Sequence, residues 1–484
     1  MLRGCVATMT VTLFLSCDAS ISSFDGGSGT AGGSATGGGT AGGAMAGGST
    51  AGGSTAAGGS TAGGSAAGGS AAGGSTAGGS TAGGSTAGGS TAGGSTAGGS
   101  TAGGSTAGGS TAGGSAGGTV AAGGSPGPID AGVPAWRSGA VAWQWLEVPG
   151  SALSGLRVVD PFNATMMVAP TARINAWNGL AVNRDNNRVY LACAGGHGDW
   201  AGNEAYDIDL QADQPRWRLL RGPSPGSTIS IDVDYYSDGR PSSTHLYYAL
   251  QYVRARGRIF KLSAGSNWGT GNKNNTFVDA FNLTTNDWDP QGAFPAGATG
   301  GPNIDRPYAQ DALTDDVYTF VGGNFRKWSA TTATWETLAA RPGYANNDVV
   351  SASASAFDTT RSRVLFASNL YRVAQRQGLL VTTNPGSTAT DVTFTGTHAT
   401  TMAQSGAGLE YVSSLDAYFF KPRAGGTVVR IDPVTFETSL QATTGPTPPD
   451  GANGVYNRWR YLPLLRGFIY LPSGSSNFWF LPTG

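Results

Sequence analysis

A tract made almost wholly of small residues, 26–127, limits what this chain can fold into. Its 102 positions hold no charged, aromatic or cysteine residue, and most of them repeat the unit Ser-Thr-Ala-Gly-Gly. Such small side chains bury too little surface to offset the entropy of ordering the backbone, so we expect the tract to be disordered. Only the 357 residues that follow Gly127 remain to build a hydrophobic core.

The composition and period of the tract exclude fibrous and membrane-spanning structures. Collagen requires Gly at every third position, whereas the period here is five residues with almost no Pro. Coiled coils and transmembrane helices require many large apolar side chains, and the tract has only Met45 and Val120. A flexible coil of about 100 residues has a root-mean-square span of about 55 Å. Two interpretations stay open: a spacer that holds a domain away from its anchor, and a repeat expansion whose length has no role.

The first 17 residues predict export. Arg3 precedes an apolar stretch, Val6–Ser16, that is too short to span a bilayer and is typical of a secretory signal. The stretch ends at Cys17 after Leu15-Ser16, which resembles the signal of bacterial lipoproteins, although Phe14 stands where that family usually has Leu. The resemblance implies a signal peptide over 1–17 and a lipid anchor at Cys17.

The predicted location is therefore the cell envelope, with a lipid anchor to a membrane. Asp18, the residue after the proposed anchor, leaves the inner and the outer membrane open, and we expect the outer membrane or the cell surface. Ordinary cleavage near the same position is the alternative, and it would give a secreted protein. The tether would cover residues 18–135, and the folded domain 136–484.

The charge and cysteine content restrict the partners of the folded domain. After Gly127 the chain has 28 basic and 28 acidic residues, so we expect no nucleic-acid partner, which would favour a basic excess. Cys193 is the only cysteine there, so the domain has no internal disulfide, and its apolar surroundings predict a buried small side chain.

After Pro128 the sequence predicts an all-β fold. Alternating β-branched and aromatic residues are separated by Gly, Pro, Asn and Asp, and no long segment has a helical period. The strand-like segments fall into six groups that begin at residues 175, 245, 307, 351, 407 and 459. The last group lacks a fourth strand, and a spare strand lies at 142–150. Closing the ring with this N-terminal strand gives a β-propeller of six four-stranded blades, because closure removes exposed sheet edges. A seventh blade hidden in the 221–244 insertion is the alternative.

The first three groups share a local pattern. A glycine ends the second strand, an aromatic-bearing third strand follows, and a polar turn then leads to Trp, as in VGGNFRKWSATTATW (321–335). This pattern resembles the kelch repeat, whose family includes propellers of the galactose-oxidase type. The loops GGHGDWAGNE (195–204) and DGRPSSTH (238–245) resemble loops of uncharacterised bacterial kelch-like proteins. The positions of the copper ligands in galactose-oxidase-type enzymes find no residue-by-residue match here, so that activity is not carried over.

The candidate site residues come from these loops and the neighbouring strands. In a propeller, His197 and His245 would face the same mouth of the ring, where ligands commonly bind. Two histidines and a carboxylate can hold a metal, but no HxH or HExxH spacing is present, so we expect no metal and no cofactor. Structural hydrogen bonding is the alternative role for both loops, and Asp238-Gly239-Arg240-Pro241 also fits a rigid turn. The ligand-binding candidates are Trp177, His197, Asp199, Asn203, Glu204, Asp238, Arg240, His245, Tyr247 and Tyr308.

These features favour a binding module over an enzyme. Aromatic rings at the mouth can stack on sugar rings, and Arg240 and Asn203 can hydrogen-bond to them. The expected function is recognition of a polysaccharide or a protein partner by an envelope-anchored propeller. The alternative is a glycan-active or metal-dependent extracellular enzyme with its site at the same mouth, and the fold is compatible with both.

Overall fold

A computed structural model describes residues 132–262, 265–271, 275–295, 306–321, 324–340, 353–367, 378–384 and 387–484. The chain divides into two units, Met1–Ala116 and Gly117–Gly484, and every described residue belongs to the second. The predicted signal peptide, Cys17 and the repeat tract lie outside the described residues, as do Gly322 and Gly323 of the third strand group.

Short strands separated by tight turns make up most of the described chain, as the alternating pattern predicts. In chain order the strands are β1 (Leu146–Val148), β2 (Val158–Asp160), β3 (Asn163–Val168), β4 (Ala181–Asn183), β5 (Arg188–Ala192), β6 (Ala205–Asp209), β7 (Trp217–Arg221), β8 (Leu250–Val253), β9 (Arg258–Leu262), β10 (Val278–Asn282), β11 (Asp287–Trp288), β12 (Ala309–Gln310), β13 (Val317–Val321), β14 (Asn324–Trp328), β15 (Trp335–Ala340), β16 (Ala354–Asp358), β17 (Arg363–Ala367), β18 (Gly378–Thr382), β19 (Ala389–Val392), β20 (Thr395–Gly396), β21 (Gly408–Val412), β22 (Ala417–Lys421), β23 (Val429–Ile431), β24 (Glu437–Leu440), β25 (Trp459–Leu462), β26 (Gly467–Tyr470) and β27 (Phe478–Pro482).

Helical segments are few and short among these residues. One α-helical turn, α1, spans Ala172–Asn175. The 3-10 turns are Ala135–Arg137, Leu153–Gly155, Gly226–Thr228, Arg254–Arg256, Ala399–Ala403, Ser413–Leu415 and Tyr456–Arg458. Within the described ranges, no helix has the length and apolar character needed to cross a membrane.

The strands form a β-propeller of six antiparallel blades. Blades one to five are β4–β7, β8–β11, β12–β15, β16–β19 and β21–β24, and blade six joins β25, β26 and β27 to β1. The predicted closure of the ring by the N-terminal strand is therefore confirmed. The seven-blade alternative is wrong, because the insertion over 222–244 forms one 3-10 turn and isolated bridges but no strand.

The closing strand is held by both backbone and side chains. Leu146, Glu147 and Val148 pair with Phe480, Trp479 and Phe478 of β27. Just before β1, Trp145 is fully buried, and its ring lies 6.1 Å from the ring of Trp459 and 6.4 Å from that of Tyr470. Because these partners lie more than 300 residues away in the sequence, β1 joins the two ends of the described chain into one sheet.

Two elements before blade one are absent from the sequence-based prediction. β2 and β3 form a separate hairpin, with a register shift between Val159 and Asp160, and most of its side chains are exposed. Helix α1 follows it and occupies part of the region where the first strand of blade one was predicted to begin at residue 175. That strand, β4, begins six residues later, and the residues between α1 and β4 form a loop.

The first strand of each blade lies towards the centre of the ring. β4 contacts β8, β12 contacts β16, and β21 contacts both β16 and β25. These inner strands run in the same direction relative to the ring axis. Segments that precede an inner strand therefore lie at one end of the central channel, together with the connections between second and third strands. Segments that follow an inner strand lie at the other end.

Candidate functional site

Three backbone segments lie side by side at the first of these two ends. The segment 194–197 between β5 and β6 runs beside 243–245, which leads into β8, and beside 266–269, which follows β9. The amide of His245 donates to the carbonyl of Ser266 at 3.1 Å, and the amide of His197 donates to that of Asn267 at 3.0 Å. The two histidines are thus fixed by main-chain hydrogen bonds across blades one and two.

A glycine makes this close approach possible. Gly196 has a φ of +79°, and a Cβ at this position would lie 2.4 Å from both His245 N and Ser266 O. No side chain fits there without moving the backbone. The sequence signal was the glycine pair at 195–196, which marks a close approach but does not say what approaches.

Several residues with side chains also adopt left-handed backbone conformations around this point. Trp177, His197 and Tyr247 have φ values of 55°, 45° and 49°, and Cys193 has 57°. Each such residue costs about 1–3 kcal/mol and persists only where the surrounding structure enforces it. Conformations of this kind cluster at functional sites, which makes the region a candidate.

We define the histidine mouth as Trp177, His197, Asp199, His245 and Tyr247. His245 Nε2 lies 2.8 Å from Asp199 Oδ2, and the rings of His197 and His245 are 6.0 Å apart. The Trp177 ring lies 5.1 Å from that of His245. His197 and Asp199 are exposed, Trp177 is half-buried, and His245 and Tyr247 are buried. The predicted convergence of the two histidines is therefore present, together with one carboxylate and two aromatic rings.

The protonation state of His245 follows from its surroundings. Burial lowers its pKa below the usual value, the hydrogen bond that it donates to Asp199 opposes this effect, and the neighbouring His197 adds to the lowering. The neutral imidazole therefore dominates near pH 7. With Asp199 accepting a hydrogen bond from Nε2–H, the other ring nitrogen, Nδ1, is an acceptor and lies 3.4 Å from the Tyr247 hydroxyl. The result is a carboxylate–imidazole–phenol series.

A buried ion pair supports the loop that carries His197 and Asp199. Arg173 of α1 and Glu204 are both 1% exposed, and Nη2 lies 2.6 Å from Oε1. Glu204 also accepts hydrogen bonds from Trp200 Nε1 at 3.1 Å, and the Arg173 guanidinium lies 3.5 Å from the Trp200 ring centroid. Glu204 is thus occupied by structural partners and acts on the mouth through Trp200.

The remaining candidate residues lie away from the two imidazoles. Asn203 is buried, and its side chain joins this loop to Ser224 and to the carbonyl of Pro241. The Arg240 amide donates to Asp238 Oδ1 at 3.2 Å in a turn, and Arg240 Nε lies 3.3 Å from Asp287 of β11, the outermost strand of blade two. This geometry is that of the rigid-turn alternative. Whether either turn residue contacts a ligand stays a prediction.

Two further residues singled out from the sequence lie in the core. Tyr308, just before β12, is buried, with its ring 6.4 Å from that of Trp335. Cys193 is fully buried with its Sγ 2.9 Å from the carbonyl of Ser242, and burial raises its pKa to about 12. The thiol is therefore un-ionised and shielded, in agreement with the prediction of a buried small side chain.

Sequence reasoning missed several residues that shape the mouth. Tyr456, from the segment before β25, places its ring 5.4 Å from that of Tyr247, and the two lie 209 positions apart. Trp268 pairs with His197 through the backbone, and its ring lies 6.3 Å from that of Phe162 at the tip of the β2–β3 hairpin. No local pattern encodes these contacts, since each joins segments that are distant in the sequence.

The metal hypothesis finds no cluster to support it among the described residues: none of them form a group of three or more His, Cys, Asp or Glu side chains arranged to hold an ion. Asp232, an acidic residue of the insertion over 222–244, accepts hydrogen bonds from the amide and hydroxyl of Thr270.

The similarity of this chain to known proteins lies among solved structures. No family model matches the chain, and no curated protein matches it. Among solved structures it is similar to a structural genomics protein of unknown function from Bacteroides thetaiotaomicron, with 11% identity and a TM-score of 0.40. The similarity covers 69% of this chain and 74% of that one. The functional assignment therefore depends on the residues of the site itself.

Proposed function

We propose that this protein is a carbohydrate-recognition module whose ligand site is the histidine mouth. One observation carries the proposal: an exposed imidazole, an exposed carboxylate and a half-buried indole converge on one rigid end of the ring. Binding sites combine apolar and aromatic walls with a few fixed polar groups, and this mouth has both.

The chemistry of the mouth suits a sugar. The half-buried Trp177 ring offers apolar aromatic surface against which the apolar face of a pyranose can pack. Asp199, with 36% of its side chain exposed, can accept hydrogen bonds from sugar hydroxyls while it holds His245. His197 can donate or accept, since its ring is exposed beside the same opening.

A kelch-like ancestry of the propeller belongs to the same proposal. Its support is the position of Trp217, Trp288 and Trp335, each at or near the start of the outer strand of its blade. Trp217 is buried and donates from Nε1 to the carbonyl of Ser151 at 2.9 Å, so it covers the blade as the repeat pattern predicts. The glycine pair at 195–196 supplies the other half of the pattern in blade one.

The lipid anchor and the tether complete the proposed function. Lipidation at Cys17 and about 100 flexible residues would hold the propeller at the envelope while allowing it to reach a polymer some tens of ångströms away. Growth with a labelled fatty acid tests the anchor. We expect label on the wild-type protein and none on Cys17→Ser; equal labelling of both would refute the anchor.

Binding of the full chain to a glycan array tests the mouth. We expect Trp177→Ala and His197→Ala to weaken binding of the wild-type ligands, and His398→Ala to leave it unchanged. His398 is a matched control because its amide donates to Thr438 of β24, which places it at the outer strand of blade five and away from the central channel. Unchanged binding by both mouth variants would refute the proposed site.

The carboxylate–imidazole–phenol series favours one second candidate, an acid–base enzyme acting on the same glycan. A neutral imidazole oriented by a carboxylate is a suitable general base. Incubating the bound glycan with the protein and analysing the products separates the two. Products that vanish with His245→Gln would establish catalysis, whereas an unaltered glycan would leave recognition as the function.

A further inference from the structure

The end of the central channel opposite the histidine mouth holds a cavity. Its wall contains residues from all six blades, and its volume is about 250 Å³. Arg184 directly follows β4 and Arg254 directly follows β8, so this cavity lies at the end of the inner strands opposite the histidine mouth. We define the arginine cavity by Arg184, Arg254, Glu410 and Arg460, which all line it.

Two guanidinium groups share a single carboxylate inside it. Arg184 Nη2 lies 3.1 Å from Glu410 Oε2, and Arg460 Nε lies 3.0 Å from Glu410 Oε1. The exposed fractions of the three side chains are only 15%, 8% and 6%. The three groups come from blades one, five and six and together carry one positive charge in excess.

The third arginine does not add to this excess. Arg254 Nε forms hydrogen bonds to both carboxylate oxygens of Asp315 at 3.1 Å, and Nη2 donates to the carbonyls of Ala312 and Leu313. Its charge is compensated, and its donors are occupied by the connection between β12 and β13. Asp185, which also lines the cavity and is half exposed, lies 3.5 Å from Arg254 Nη1. The six charged groups therefore balance overall, and the positive excess is local to the buried pair Arg184 and Arg460.

Two guanidiniums beside one carboxylate destabilise each other, because their positive charges repel. The pKa of Arg460 is lowered to about 10, mainly by burial; the neighbouring charge of Arg184 acts in the same direction, and Glu410 opposes both. The contacts from Arg184 Nη1 to Gln310 and from Nη2 to Glu410 Oε1 are long, at 3.4 Å each. An incoming anion would therefore compete only with long, weak hydrogen bonds at these Arg184 donors.

We propose that the arginine cavity binds a ring-sized monocarboxylate, a sugar acid of the hexuronate class, through Arg184 and Arg460. A single carboxylate matches the local excess charge at Arg184 and Arg460, and guanidiniums bind carboxylates in a fixed planar geometry. The volume is below the roughly 300–1,000 Å³ of pockets for drug-sized molecules, which suits one ring. Phe357, Tyr411 and Tyr461 in the wall offer apolar surface for the ring.

This site is independent of the histidine mouth, because the two share no residue and lie at opposite ends of the inner strands. A failure of either proposal therefore leaves the other standing.

Isothermal titration calorimetry of the full chain with glucuronate, and with glucose as the neutral analogue, tests the proposal. We expect binding of glucuronate at millimolar concentration and none of glucose. Arg184→Gln removes charge-assisted hydrogen bonds and should weaken glucuronate binding about 10- to 100-fold. Glu410→Gln removes the competing carboxylate and should strengthen it. Arg216→Gln, an exposed arginine outside the cavity, should leave the affinity unchanged.

Three results would overturn the proposal: no glucuronate binding, equal binding of glucose, or an unchanged affinity of Arg184→Gln. Circular dichroism establishes first that each variant is folded. If Arg184→Gln does not fold, Arg184→Lys takes its place, because it keeps the charge and loses the planar fork. An affinity of Arg184→Lys equal to that of the wild type would then overturn the proposal in the same way.

Discussion

Replacing Trp145 by alanine removes a fully buried indole from the segment that closes the ring. A tryptophan of this kind buries about 150–250 Å². At about 25 cal/mol per Å², the transfer contribution is roughly 4–6 kcal/mol. Because a realistic unfolded chain already buries part of this area, a loss of about 3–5 kcal/mol in the free energy of unfolding is expected, which matches typical Trp→Ala values in cores.

The matched control is Trp143→Ala in the same segment. Trp143 is half-buried and stacks on Phe419 with ring centroids 5.6 Å apart, so a smaller loss, about 1–2 kcal/mol, is expected. Urea titration followed by tryptophan fluorescence and circular dichroism measures both variants. A loss below about 1 kcal/mol for Trp145→Ala, or equal losses for the two variants, would refute the account in which this segment closes the propeller.

Three further substitutions test the support of the histidine mouth. Arg173→Ala leaves Glu204 buried without its partner and should cost about 3–5 kcal/mol in urea titration, and a cost below about 1 kcal/mol would contradict the buried-pair assignment. Gly196→Ala puts a Cβ against the His245 amide at a positive φ and should cost at least about 2 kcal/mol by the same measurement, with weaker glycan binding. The folded-state pKa of His245 lies below its unfolded value of about 6.5. Protonation therefore favours the unfolded chain, and the free energy of unfolding should fall as the pH drops below about 6.5. The total loss is about 1.4 kcal/mol for each pH unit that separates the folded from the unfolded pKa. The free energy of unfolding, measured at several pH values, should depend less steeply on pH in His245→Gln than in the wild type. An identical dependence in the two proteins would contradict the lowered pKa of His245.

Most of the fold could be predicted from local patterns. The groups predicted to begin at residues 407 and 459 start with β21 at Gly408 and with β25 at Trp459, because period-two alternation and turn residues are local features. The start of the second group was predicted too early. Its predicted start at residue 245 lies five residues before β8, because 245–249 lead from the mouth into this strand. Here tertiary contacts such as Tyr247 N to Trp177 O override the strand pattern.

The candidate site was predictable only in part. His197 and His245 were brought together by topology, since the place of each within its blade assigns it to one end of the ring. The buried ion pair of Glu204 with Arg173 was not predictable, because Arg173 lies in a short helix that no sequence pattern indicates. The arginine cavity was missed altogether, since its residues come from six blades and share no local motif.

The central claim is that the histidine mouth is where the ligand binds, and the chain offers a direct probe with its three histidines, His197, His245 and His398. Nuclear magnetic resonance of the 13C-labelled imidazoles, recorded while the tightest-binding glycan of the array is added, reports on each ring separately. The account predicts that the resonances of His197 and His245 shift in a saturable manner and that the resonance of His398 does not. Saturable binding with His197 and His245 unmoved would contradict it.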